Sequence, residues 1–164
     1  MNENALSDYI SKATKSKKIN DLIDLLHSLV SKKFNILESN VFISSENSSL
    51  ELIVETGTSN TLQKNINKFE EEGIIDFVIT QGNCFIVPNL TDSSTTAKSY
   101  IFCPSVVNNN YYIFAAISNN ELTFFTDEHK SEIEKMFEIT STFINLHLVN
   151  SENQNLKKKI VELN

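Results

Sequence analysis

Apolar residues recur at third and fourth positions along Ile19, Leu22, Ile23, Leu26, Leu29, Val30 and Phe34. This spacing predicts an amphipathic helix with Asn20 as N-cap and an end near Asn35. Ahead of it, residues 4–18 scatter Leu6, Tyr9, Ile10 and Ala13 among lysines and read as a short helix or an arm. Beyond it the period falls to two. Residues 40–45 and 50–56 read as strands joined by the polar turn Glu46, Asn47, Ser48 and Ser49. In the second strand Leu50, Leu52 and Val54 share one face and Glu51 and Glu55 the other, which predicts one buried and one partly wet face. Gly57 closes this strand, and the polar residues 58–68 read as a loop.

The segment EGIIDFVITQGNCFIVPNL, residues 72–90, changes period partway. Ile74, Ile75, Phe77, Val78 and Ile79 cluster as on a short helix, and the run Cys84 to Val87 reads as a buried strand that stops at Pro88. Residues 91–98 are a loop of small side chains. Two more strands, 99–103 and 111–118, flank a turn around Asn108, Asn109 and Asn110. Thr126, Asp127 or both cap a long closing helix whose first apolar stripe is Ile133, Met136, Phe137, Phe143 and Ile144. Strands bracketed by helices and joined mainly by short turns predict an α+β sandwich on an antiparallel sheet.

The closing helix carries a second pattern. Leu146, Val149, Asn153, Leu156, Ile160 and Leu163 step by three and four as a heptad seam, which Ile139 and Thr142 extend backwards. β-Branched Ile160 and leucines at 156 and 163 favour two parallel strands, with Asn153 fixing register. A helix over 127–163 would run about 55 Å, against about 35 Å for a domain of this size, so it must overhang.

Composition narrows the classes of function. At 164 residues the chain is the size of one domain, and 40% apolar and 21% charged residues are near the globular average. A formal charge of -7 and the absence of arginine argue against a nucleic-acid partner and against a dedicated polyanion site. No apolar run reaches the ~20 residues of a membrane span. The first residues lack the apolar core of a signal peptide, which predicts a cytoplasmic protein with no membrane partner. Cys84 and Cys103 each lie in an apolar strand-like run and read as buried thiols, not as a disulfide framework. His27, His129 and His147 have no ligand-spaced partner, so no metal is predicted.

The ordered set of segments resembles the GAF domain over 19–149. INDLIDLLHSLVSKKFNILESNVFI is similar to that family's entry helix and first strand, and LELIVETG to its second strand. GIIDFVITQGNCFIVPNLTD is similar to its helix-glycine-strand unit, SYIFCPSV to the strand ending in proline, and LTFFTDEHKSEIEKMF to the start of its closing helix. Gly57, Gly73, Gly82, Pro88 and Pro104 stand where the family punctuates its chain. Tyr111-Tyr112 replaces a glycine that often opens the next strand, and Asn89 stands near a usual acid.

The resemblance implies a five- or six-stranded antiparallel sheet with the N- and C-terminal helices on one face and a short helix plus loops on the other. Residues 1–18 would form an arm or helix, 19–149 the domain and 150–164 a coiled-coil extension. It also implies a ligand pocket floored by the sheet and roofed by residues 71–80 and 89–98, for which Phe77, Cys84, Ile86, Ser93, Thr95 and Ile101 are the candidates. Neither cysteine has the neighbouring histidine of bilin-binding members. Residues 67–71, NKFEE, carry the letters of a cyclic-nucleotide signature at the wrong spacing, and the loop 91–98 lacks the thiol of the methionine sulfoxide reductases of this fold. No cofactor and no catalytic residue are implied. The expected function is that of a non-enzymatic bacterial sensor or regulatory module, a parallel homodimer through its terminal helices acting on a downstream signalling domain or partner. The alternative is a ligand-free scaffold. The end of the chain in mid-heptad suggests an excised input module or a stand-alone regulator.

Overall fold

A computed structural model describes residues 3–44, 50–53, 61–90 and 96–162. Its elements are α1 (Glu3–Lys15), α2 (Ile19–Phe34), β1 (Ile36–Ser44), β2 (Glu51–Leu52), α3 (Thr61–Glu71), α4 (Ile74–Gln81), β3 (Phe85–Pro88), β4 (Ser99–Val107), β5 (Asn110–Ser118) and α5 (Asp127–Glu162), with one 3-10 turn at Leu122–Phe124. The five strands lie in the order β2-β1-β5-β4-β3, every neighbouring pair antiparallel. This is the α+β architecture that the sequence predicts.

The sheet is covered on both faces. On one, Val41, Ile101, Cys103, Phe114 and Ala116 pack against Leu22, Leu26 and Phe34 of α2 and Ile133, Phe137 and Ile144 of α5. On the other, Phe42, Tyr100, Phe102, Ile113 and Ala115 pack against Leu62 and Ile66 of α3 and Ile75 and Val78 of α4. Double burial is why the sequences of β4 and β5 read as continuous apolar runs rather than alternating ones.

Local chemistry places the joints. Asn20 lies inside the first turn of α2 rather than capping it, since the helix begins at Ile19 and the Asp21 carboxylate accepts the Lys18 backbone N–H at 3.2 Å. Asn35 ends α2 in the left-handed region. The Phe34 carbonyl that this leaves accepts the Ser118 hydroxyl at 2.7 Å and the Asn120 amide at 3.0 Å. Gly73 and Gly82 bracket α4 at φ 74° and 69°, a backbone that L side chains rarely adopt. Asn108 and Asn109, both at positive φ, make the hairpin turn between β4 and β5. Pro104 follows the last β3–β4 pair, so its missing N–H breaks no bond to β3.

One segment differs from expectation. Residues 61–68 of the expected loop 58–68 belong to helix α3, which runs on to Glu71 and is held to the sheet by Leu62, Ile66 and Phe69 at helical spacing within a polar background. Of the two readings of residues 4–18, the structure has the short helix: in α1 Tyr9 and Ala13 are buried, and the Tyr9 hydroxyl is hydrogen-bonded to Thr140 of α5. Burial pushes that phenol up to about 12. The expected turn 46–49, the last three residues of the expected strand 50–56 and Gly57 lie outside the described residues.

Candidate functional site

The segment from α3 to β4 builds a small cavity on the α3/α4 face. Phe69 of α3 sets its ring edge-on to Tyr100 and Phe102, with centroids 4.9 and 5.1 Å away. The Asn65 amide donates to the Tyr100 hydroxyl at 2.8 Å. At the neck of the loop the Asn89 backbone N–H donates to Lys98 O at 2.8 Å and its side-chain amide to Ala97 O at 2.9 Å. The space that remains, between Asn65, Phe69, Pro88, Asn89 and Tyr100, is about 190 Å³. That is below the roughly 300 Å³ at which sites for drug-sized ligands begin. The aromatic rings occupy much of the room a ligand would need, and Asn65, Lys68, Glu72, Asn89 and Tyr100 are the polar side chains that line it.

The residues expected to line a pocket do not converge there. Cys84, Ile86 and Ile101 lie in the cluster with α2 and α5, on the opposite face of the sheet. The reason is the strand period: Tyr100 and Phe102 take the α3/α4 face, so the residue between them must take the other. Phe77 is half exposed on α4, edge-on to Phe85 at 5.2 Å. Ser93 and Thr95 lie outside the described residues. Asn65, Phe69 and Tyr100 went unassigned, although Leu62, Ile66 and Phe69 at steps of four and three signal the helix that carries them.

Phe77 and Cys84 do meet, at a second cavity of about 470 Å³ between α4, β3 and the first turns of α5, which Gln81, Lys130 and Glu134 also line. The Glu134 carboxylate accepts the Cys84 backbone N–H at 2.6 Å. Behind it the Cys103 thiol is wholly buried. The neighbouring Cys84 side chain, then burial, then the Glu134 carboxylate hold it well above the usual thiol range. Both ring nitrogens of His27 are engaged by hydroxyls, Nδ1 with Ser39 at 2.7 Å and Nε2 with Ser31 at 3.1 Å, which ties α2 to β1. Among the described residues no three His, Cys, Asp or Glu side chains come together to hold a metal. Nor is any described helix long and apolar enough to cross a membrane.

The other distinctive surface is the far half of α5. This helix has 36 residues, about 54 Å at 1.5 Å per residue. Its last ties to the rest of the chain include the Tyr112 hydroxyl, donating to Asn145 at 3.1 Å, and His147, bonded to the Ser16 carbonyl at 3.2 Å. Side chains 151–159 are all exposed. Of the seam, Leu146, Val149, Asn153 and Leu156 are exposed on a continuous helix. Ile160 lies within α5, and Leu163 falls outside the described residues.

No protein-family model matches the chain, and no curated protein matches it either. Solved structures do. The N-acylhomoserine lactone-dependent LuxR-family transcription factor CepR2 from Burkholderia cenocepacia is similar with a TM-score of 0.59 at 9% identity, over 88% of this chain and 94% of that one. The native GAF domain of the potassium sensor histidine kinase KdpD from Escherichia coli gives 0.57 at 12% identity, over 91% and 96%. The GAF domain of a two-component sensor histidine kinase from Bacillus halodurans gives 0.55 at 10%, over 82% and 99%. The fold of this chain is therefore that of a GAF domain. Its structural neighbours include sensor domains of signalling proteins, and at this level of identity the likeness fixes the architecture and leaves the ligand to the residues of the site.

Proposed function

We propose that the chain is a non-catalytic regulatory module of a bacterial signalling system, paired as a parallel homodimer through α5. The observation that carries this reading is the exposed seam. Leu146, Val149 and Leu156 are 50%, 41% and 57% exposed in the single chain, at the three-and-four spacing that a second helix covers. In a helix that overhangs its domain, such a pair can pass a change of rotation or register to a downstream partner. A chain ending at Asn150 keeps every buried residue of the domain and loses Asn153, Leu156 and Ile160. Sedimentation should give a dimer for the full chain and a monomer for the shortened one. Equal masses for both would overturn the reading.

For the pocket, two roles are distinguished by one measurement. A small polar ligand suits the Asn65, Tyr100, Lys68 and Glu72 side chains of the lining, whereas the packing of Phe69 on Tyr100 and Phe102 favours a ligand-free scaffold. The cavity of about 190 Å³ makes the second the stronger expectation for drug-sized compounds. A thermal-shift screen should find no such compound that raises the melting temperature. A raised temperature that Asn65→Leu abolishes would establish the sensor.

A further inference from the structure

Strands β3 and β4 pair with Phe85 opposite Phe102 and Ile86 opposite Ile101. One step further along this register Cys84 stands opposite Cys103, and both side chains lie in the cluster that faces α2 and α5. Residues directly opposed in an antiparallel pair have Cα atoms about 4.5–5.5 Å apart. That falls inside the roughly 4.4–6.8 Å that a disulfide spans. Both residues are free thiols.

Their access differs. Cys84 borders the cavity of about 470 Å³ beside Phe77, Gln81 and Glu134, whereas Cys103 is 0% exposed. Both thiols are buried, but Cys84, 5% exposed, is the one that borders open space, and Cys103 lies on the inner side of it, the order of an attacking and a resolving cysteine.

We propose that Cys84 and Cys103 form a dithiol site that a hydroperoxide oxidises to an intramolecular disulfide. The Cys84 sulfur, having lost its proton to water, attacks one peroxide oxygen. The O–O bond breaks, the leaving oxygen takes up a proton as water or alcohol, and Cys84 becomes a sulfenic acid. The Cys103 sulfur then attacks the Cys84 sulfur: the S–S bond forms, the S–O bond breaks, and the departing hydroxide leaves as water with the Cys103 proton. The two thiols supply two electrons, which reduce one peroxide. A dithiol in a reducing compartment restores the pair by exchange. Burial of both sulfurs makes the reaction slow in the folded chain. The bridge would tie residue 84, two positions beyond the Gly82 cap of α4, to strand β4.

The test uses the full chain, reduced and folded, in millimolar hydrogen peroxide. Intact mass should fall by about 2 Da per chain, for the two hydrogens lost, and recover with dithiothreitol. Proteolysis without reductant should give a peptide joining Cys84 to Cys103, and Cys84→Ser and Cys103→Ser should each abolish it. If either variant does not fold, the peptide map of the unmodified chain decides alone. The proposal is overturned if peroxide yields only cross-links between chains. It is also overturned if both thiols of the folded chain resist a treatment that oxidises them in urea.

Discussion

Phe137→Ala is expected to destabilise the domain by about 3–5 kcal/mol, the range for truncating a buried aromatic. Phe137 is 0% exposed on the sheet-facing side of α5, and its ring lies 5.8 Å from that of Phe114 in the central strand β5. Alanine there removes contacts from both layers at once, and the flanking Ile133 and Ile144 are themselves fixed on the same helix and cannot close the space. Against a total stability of about 5–15 kcal/mol, this is a large fraction. At about 2–4 °C per kcal/mol for a chain of this size, the melting temperature should fall by about 10 °C. The measurement is urea unfolding followed by circular dichroism at one fixed protein concentration, because pairing adds its own stability. A loss under about 1 kcal/mol would mean that α5 is not seated on the sheet as described.

The pieces of this fold that the chain spells locally are the ones that could be read from it. Helix α2 is an example, since one face of it repeats at helical spacing for four turns and Asn35 can take the left-handed C-cap. The glycines that bracket α4 are another, because few other residues fit those backbone angles. What was not legible depends on partners distant in sequence. Helix α3 is mostly Asn, Lys, Gln and Glu, and its three apolar residues acquire meaning from the sheet that receives them. The strand SYIFC is apolar at four of its five positions because both faces are buried, so the sequence carries no phase. Alternation therefore does not tell which of Tyr100 and Ile101 faces the pocket. Cross-strand register is equally silent, which is why Cys84 and Cys103 read as two unrelated buried thiols until β3 was laid beside β4.

The heptads are the opposite case, a tertiary prediction written entirely in one segment, and Leu156→Glu should test it most severely. Leu156 is 57% exposed in the single chain and lies beyond the last residues that touch the sheet. For the isolated fold the substitution is one of a surface residue, expected to change stability by no more than about 0.5 kcal/mol. In a parallel pair the two Leu156 side chains would meet across the axis at one core position of the heptad. Each dimer then loses two buried leucines at about 2 kcal/mol or more apiece, and two carboxylates face one another in their place. A loss of about 4 kcal/mol weakens dimerisation by about a thousandfold. Sedimentation at micromolar concentration should show a monomer whose circular dichroism remains that of the folded domain. Phe137→Ala should do the reverse, weakening the fold through a residue the seam does not contain. Asn153→Val should tighten pairing while loosening register, since the buried amide specifies alignment at a cost in stability. A Leu156→Glu chain that stays dimeric would place the interface elsewhere, and the long exposed half of α5 would then need a different partner.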